Sequence, residues 1–315
     1  MSDHPFTESI DPRLFAGALE RAVGVRPLEL HLRKARLPRL VFEAQTPSGR
    51  VFLKAEVPNP DREYALALEA WALERAAASV IPVPEVLHVD CSERHFPFRF
   101  IVMSQVNGIT LEDAKLGWDR ENELLREAGR LLTRLHQTPV AGFGLLDEER
   151  YLTTGDVRGI RDDWFEPLWN QAIASATRLV QDGILSEHET ESVFERLKYG
   201  SGKRSHEAGC RLLHGDLGSG AIFVEPATGR LAGIIDFNAR QSGPPEWEMA
   251  TFLVWENARR LRPLVEGYRE AGGVLDEELI SEYGLFRLLE LMEWYAGRGR
   301  TKVVVEMKAR LAEFL

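Results

Sequence analysis

Asp216 and Asp236 bracket two short apolar runs, residues 221–224 and 231–235, joined by a Pro-Ala-Thr-Gly turn. A further apolar run, residues 210–213, leads into Asp216 through His214-Gly215. Runs this short, bounded by turn residues, read as strands. Two carboxylates flanking a β-hairpin converge at one end of it, and few folds place a pair of acids that way.

The rest of the chain divides in texture. Residues 1–105 read as strands with one helix. Residues 37–45 and 50–57 flank a Thr-Pro-Ser-Gly turn, which predicts a hairpin. In its second strand Lys54 shares a face with Phe52. A helix follows over about 61–78, then strands at 85–89 and 98–103. After Gly108 the pattern turns helical. Leu124, Leu125, Ala128, Leu131, Leu132 and Leu135 repeat at helical spacing. A loop with Gly142-Phe143-Gly144 comes next, then helices near 163–182 and 186–199 and a helical tail from Trp247. The expectation is a small β-rich lobe, residues 1–105, followed by a larger, mainly helical lobe, residues 106–315.

Composition narrows the partners. A hydrophobic share of 44% with 28% charged residues suits a soluble globular protein with a real core. No apolar run is long enough to span a membrane, and the N-terminus has no signal-peptide character. Two cysteines, Cys91 and Cys210, lack metal-ligand spacing, so the expected setting is a reducing cytoplasm. Residues 1–105 carry 14 acids and 13 bases, whereas residues 106–315 carry 35 and 26. That acidic excess argues against nucleic acid or an anionic membrane and suits a cationic small molecule. Local acidic clusters occur at Asp147-Glu148-Glu149, at Asp162-Asp163 with Glu166, and at Asp276-Glu277-Glu278. Helix dipoles also favour acids at such positions, with no ligand involved.

Phosphoryl transfer from a nucleotide needs positive charge on the phosphates, carboxylates for metal ions, and a base for the acceptor's proton. Lys54 is the candidate phosphate contact, Asp216 the candidate base, and Asp236 the candidate magnesium ligand. His214-Gly215-Asp216-Leu217-Gly218-Ser219-Gly220 followed by Gly233-Ile234-Ile235-Asp236-Phe237 resembles the aminoglycoside phosphotransferase and choline kinase superfamily. Val51-Phe52-Leu53-Lys54 looks like that family's lysine strand, and Glu69, thirteen residues before Pro82-Val83-Pro84, sits where its helix glutamate is expected. Residues 129–136 and 142–144 are similar to a helix and loop that many members share. The resemblance spans roughly residues 40 to 255. It implies an α+β, protein-kinase-like two-lobed fold and an ATP- or GTP-dependent, Mg²⁺-assisted transfer to a hydroxylated small molecule, in antibiotic resistance among other settings. It also implies that Glu69 pairs with Lys54, that the nucleotide base lies against Met103-Ser104-Gln105-Val106, with Met103 and Gln105 as contacts, and that His214 orients the loop.

Three departures stand out. The family usually has Asn five residues after the base, a ligand to a second magnesium; Ala221 offers none. The expected phosphate loop, residues 33–39, has no glycine, only four basic side chains among Arg33, Lys34, Arg36 and Arg39. Residues 243–248 run Gly-Pro-Pro-Glu-Trp-Glu where relatives commonly have Asp at 244, leaving Glu248 to buttress the loop. Ala221 and the glycine-free loop keep an alternative open: a pseudokinase that binds nucleotide without turnover.

Overall fold

The computed structural model describes residues 12–36, 39–57, 66–200 and 209–315. Internal contacts divide the chain into two units. One contains the residues up to Gly108 and takes the chain back for Ala232–Asn238; the other contains Ile109–Leu231 and Ala239–Leu315.

The first unit is a five-stranded antiparallel sheet. Its strands are β1 (Glu29–Arg36), β2 (Arg39–Thr46), β3 (Gly49–Glu56), β4 (Val86–Asp90) and β5 (Arg99–Ser104), in the order β1-β2-β3-β5-β4. The hairpin expected around residues 46–49 is β2–β3, with Thr46 opposite Gly49 and the Thr46 hydroxyl bonded to the Gly49 carbonyl at 2.7 Å. Helix α2 (Leu66–Ala78) matches the described part of the helix expected over 61–78; residues 61–65 lie outside the described residues. One helix goes beyond the sequence reading. α1 (Pro12–Val23) starts with proline, which suits a first helical turn, and buries Phe15, Ala18 and Leu19 at helical spacing. Phe15 stacks on Phe42 and Phe98 with centroids 4.3 and 4.6 Å apart, so the helix closes the core of the sheet. The expected phosphate loop is a second departure. Residues 33–36 are the end of β1 and Arg39 begins β2, paired as Lys34 with Val41 and Arg36 with Arg39. Strand pairing has claimed this basic segment, and only Leu37 and Pro38 lie outside the described residues.

The second unit holds β6 (Ile109–Thr110), α3 (Trp118–Leu135), β7 (Phe143–Leu146), α4 (Glu148–Thr154), β8 (Gly159–Arg161), α5 (Phe165–Gln181), α6 (Glu187–Gly200), β9 (Arg211–Leu213) and β10 (Ile222–Val224). After β11 (Leu231–Ile234) come β12 (Gln241–Gly243), α7 (Pro245–Trp255), α8 (Ala258–Glu270), α9 (Glu277–Ala296) and α10 (Thr301–Ala309). The expected loop at 142–144 contributes instead to strand β7, which pairs with β8 and β12 in a sheet ordered β8-β7-β12-β9. Helices α3 and α8 cross backbone to backbone. A β-carbon at Gly129 would stand 2.0 Å from the Leu264 carbonyl oxygen, and one at Gly267 would stand 2.0 Å from that of Arg126. Among the described residues no helix is long and apolar enough to cross a membrane, and Cys91 and Cys210 form no disulfide.

Candidate active site

In the first unit, alternation along the β2–β3 hairpin sets the charged groups. Val41 faces Lys54 and Arg39 faces Glu56 across the pair, so Arg39 and Lys54 project from one face of the sheet. Lys54 Nζ bonds the Glu69 carboxylate of α2 and, at 2.8 Å, Asp236 Oδ1. Arg39 Nη1 stands 3.7 Å from the same Oδ1, and the Asn238 amide donates to it at 2.5 Å. Lys54 and Glu69 are buried, and Asp236 is about one-third exposed (34%). Burial opposes ionisation of Asp236, but the Lys54 and Arg39 cations, with hydrogen bonds from Lys54 and Asn238, override it. They hold its carboxyl far below the usual range. Burial likewise opposes charge on Lys54, and Asp236 and Glu69 together raise its pKa above the ordinary value. Lys54, Glu69 and Asp236 therefore meet as one ionised cluster.

Asp236 ends a strand tied to the Pro82–Pro84 segment. Ile234 N donates to the Pro82 carbonyl at 2.8 Å, and a β-carbon at Gly233 would meet Val106 Cγ1 at 2.9 Å. Asp236 itself has φ 69°, in the left-handed region. Met103, near the end of β5, is buried in the ladder between Phe52 and Val86. Gln105 follows the strand, and its N–H donates to the Arg50 carbonyl at 3.3 Å.

Asp216 belongs to the second unit, in the turn after β9. Gly215 makes that turn possible. Its φ is +86°, and a β-carbon there would stand 2.0 Å from the Ala239 carbonyl oxygen. The buttress anticipated for Glu248 is present. Its buried carboxylate accepts from the backbone N–H of His214 at 2.6 Å and of Gly215 at 3.1 Å. Burial works against its charge; His136, His214 and the Gly215 N–H outweigh burial and lower its pKa. His214 Nδ1 accepts from the Asp216 N–H at 3.3 Å, so the ring braces the turn. A second acid braces the far side: Glu256 accepts from Ser219 N at 2.7 Å and is paired with Arg260 at 2.6 Å. Ala221 is buried, and its side chain has no donor atom.

Asp216 Oδ1 receives two side chains that the sequence did not single out. The Trp255 indole N–H donates at 2.9 Å, and Arg287 Nη2 stands 3.5 Å away. Their separations from Asp216, 39 and 71 residues, explain why no local pattern reveals them. Arg39 and Asn238 were equally hidden, although the strand alternation around Lys54 points to Arg39. The acidic clusters are structural. Asp147 accepts from Arg150 N at 3.0 Å at the start of α4, and Asp276 accepts from Glu278 N at 2.9 Å at the start of α9. Asp163 accepts from Glu166 N at 2.6 Å, and Asp162 pairs with Arg158. These are capping roles.

A site of this composition, set in these two units, defines a kinase-like protein. The phosphotransferase enzyme family, named APH, matches residues 37–289. The chain belongs to that family. Solved structures of similar fold include a thermostable mutant of aminoglycoside phosphotransferase APH(4)-Ia in its apo form. It is 16% identical with TM-score 0.71, over 95% of this chain and 97% of that one. The GDP and kanamycin complex of APH(2")-IIIa is 13% identical with TM-score 0.64, over 95% and 97%. A putative aminoglycoside phosphotransferase from Ralstonia eutropha JMP134 is 14% identical with TM-score 0.65, over 96% and 95%.

Proposed function

We propose that this protein transfers the γ-phosphate of ATP or GTP to a hydroxyl of a small, polyhydroxylated acceptor of the aminoglycoside or amino-sugar type. The observation that carries this reading is the ionised Lys54–Glu69–Asp236 cluster, with Asp236 Oδ1 2.8 Å from Lys54. Lys54, oriented by Glu69, contacts the phosphates, and the first unit is the nucleotide-binding lobe, with Met103 and Gln105 beside the base. The acceptor's O–H proton passes to Asp216 as its oxygen bonds the γ-phosphorus; the bond to the β-phosphate bridging oxygen breaks, and nucleoside diphosphate leaves with that electron pair.

The donor set fits magnesium. Asp236 is ionised and partly exposed, and among the described residues its Oδ2 makes no polar contact, leaving a carboxylate oxygen of the kind a hard cation takes. Bound with nucleotide, magnesium would offset charge on the transferring phosphate. Ala221 removes the usual second ligand. Structures of APH(4)-Ia variants with single asparagine-to-alanine changes are ternary complexes with AMP-PNP and hygromycin B. Loss of an asparagine in such a protein is therefore compatible with nucleotide and acceptor binding.

Nucleotide- and magnesium-dependent thermal stabilisation, followed by phosphate transfer to hygromycin B, kanamycin, other aminoglycosides and amino sugars, tests the reading. Stabilisation with transfer to at least one acceptor is the expected result. Stabilisation without transfer to any would favour the pseudokinase that Ala221 suggests, and absence of both would overturn nucleotide chemistry.

A further inference from the structure

We infer that Trp255 and Arg287 are positioning residues that hold Asp216 Oδ1 and leave Oδ2 as the oxygen that receives the acceptor's proton. The inference rests on the reading of Asp216 as the base. Asp216 is 41% exposed, and a carboxylate so open rotates freely unless something fixes it. Two groups from different helices do. Trp255, the last residue of α7, donates its indole N–H at 2.9 Å, and Arg287, in mid-α9, presents Nη2 at 3.5 Å. Both reach the same oxygen, and among the described residues Oδ2 makes no polar contact.

Neither partner is loosely placed. Tyr295 meets the Trp255 ring edge-to-face with centroids 6.2 Å apart, and Tyr295 is itself edge-to-face with Trp294 at 4.8 Å. The Arg287 side chain is 13% exposed, and Glu290 bonds its Nη1 at 2.7 Å. Its buried Nε makes no hydrogen bond. Burial disfavours that cation, but Glu290 and Asp216 outweigh it and keep the guanidinium charged. A buried charge is costly without partners, so Arg287 ties α9 to the catalytic turn. The indole is a neutral donor that cannot compete for the proton. Together they orient the carboxylate, directing Oδ2 away from the helices to meet the substrate hydroxyl.

Four variants of the full chain test this: Trp255→Phe, Arg287→Met, Arg287→Lys and Asp216→Asn. With ATP, magnesium and an aminoglycoside that the wild type phosphorylates, Trp255→Phe should lower kcat about tenfold, the effect of one hydrogen bond to a charged group. KM for nucleotide and acceptor should stay near wild type, and melting temperatures should show that the variants fold. Arg287→Met should lower kcat similarly, and Arg287→Lys should recover part of it. The contact is also visible without turnover. The indole ¹⁵N–¹H resonance missing in Trp255→Phe should shift when Asp216→Asn removes the carboxylate. Wild-type kcat in both Trp255→Phe and Arg287→Met, or an indole resonance that Asp216→Asn leaves unmoved, would overturn the inference. Should no acceptor be phosphorylated by the wild type, the functional reading fails by itself, and the resonance still decides the contact.

Discussion

Asp236 occupies backbone that a side chain usually avoids, at φ 69°. Such a conformation costs of order 1 kcal/mol, and aspartate tolerates it better than most residues. Here the cost is offset by contacts with Lys54, Arg39 and Asn238, all on Oδ1. Asp216 has less support and more exposure, as a group that meets substrate requires. Asp216→Asn is expected to lower turnover about a hundredfold or more while nucleotide affinity scarcely moves. A variant with near-normal turnover would remove Asp216 from the base role. Ala221 carries the second expectation. Ala221→Asn should raise turnover or lower the magnesium requirement, because magnesium prefers a full octahedral oxygen shell. A magnesium titration of nucleotide binding measures this apart from turnover, and an unchanged curve would mean that water already completes the site.

Among elements, α2 carries Glu69 near one end and a mismatch at the other. Ile81 N bonds the Ala76 carbonyl at 3.0 Å and Val80 N bonds that of Ala77 at 2.9 Å, a Schellman ending with Val80 in the left-handed position. Val80 has φ 59° and is 73% exposed, so its β-branched side chain adds strain without packing. Val80→Gly should raise stability by about 1 kcal/mol, seen as a higher melting temperature. A lower one would show that the valine contributes packing after all. Gly129 is the reverse case. Gly129→Ala should cost about 2 kcal/mol or more, because the α3–α8 backbones must separate to admit a methyl group; unchanged denaturant unfolding would refute this. Such elements differ in legibility. α3 announced itself through leucines at helical spacing, and the β2–β3 hairpin through its turn. α1 did not, because its first residues are polar and its apolar face is short. Residues 33–36 misled because basic side chains suggest a loop, whereas strand pairing with residues 39–41 was decided by main-chain partners.

Over the whole molecule, the order of Lys54, Glu69, Asp216 and Asp236 was legible because each lies in a short local motif. The side chains around them were not, since Trp255 and Arg287 reach Asp216 across 39 and 71 residues. The same long-range contacts fix how stability depends on acidity. Asp236 in the first unit and Glu248 in the second both have lowered pKa values despite burial. A group depressed in the folded state binds fewer protons there than when unfolded. Its contribution is present above the unfolded pKa, near 4.5 for Glu248, and is lost as pH falls through the folded value. Glu246 acts in the opposite sense, because burial raises its pKa, and it only partly offsets the trend. Lys54 closes the window from above: raised from 10.5, it stabilises below that pH and is lost as pH rises through its folded value. Stability should therefore be flat around neutrality and fall steeply below about pH 4.5. Glu248→Gln isolates one contribution. The amide keeps one acceptor oxygen for the His214 and Gly215 N–H groups but no longer titrates. Urea unfolding from pH 3 to 7 should give a variant less stable than wild type at pH 7, with the two curves converging as the pH falls. Parallel curves would mean that the proton Glu248 takes up in acid has no part in unfolding the catalytic turn.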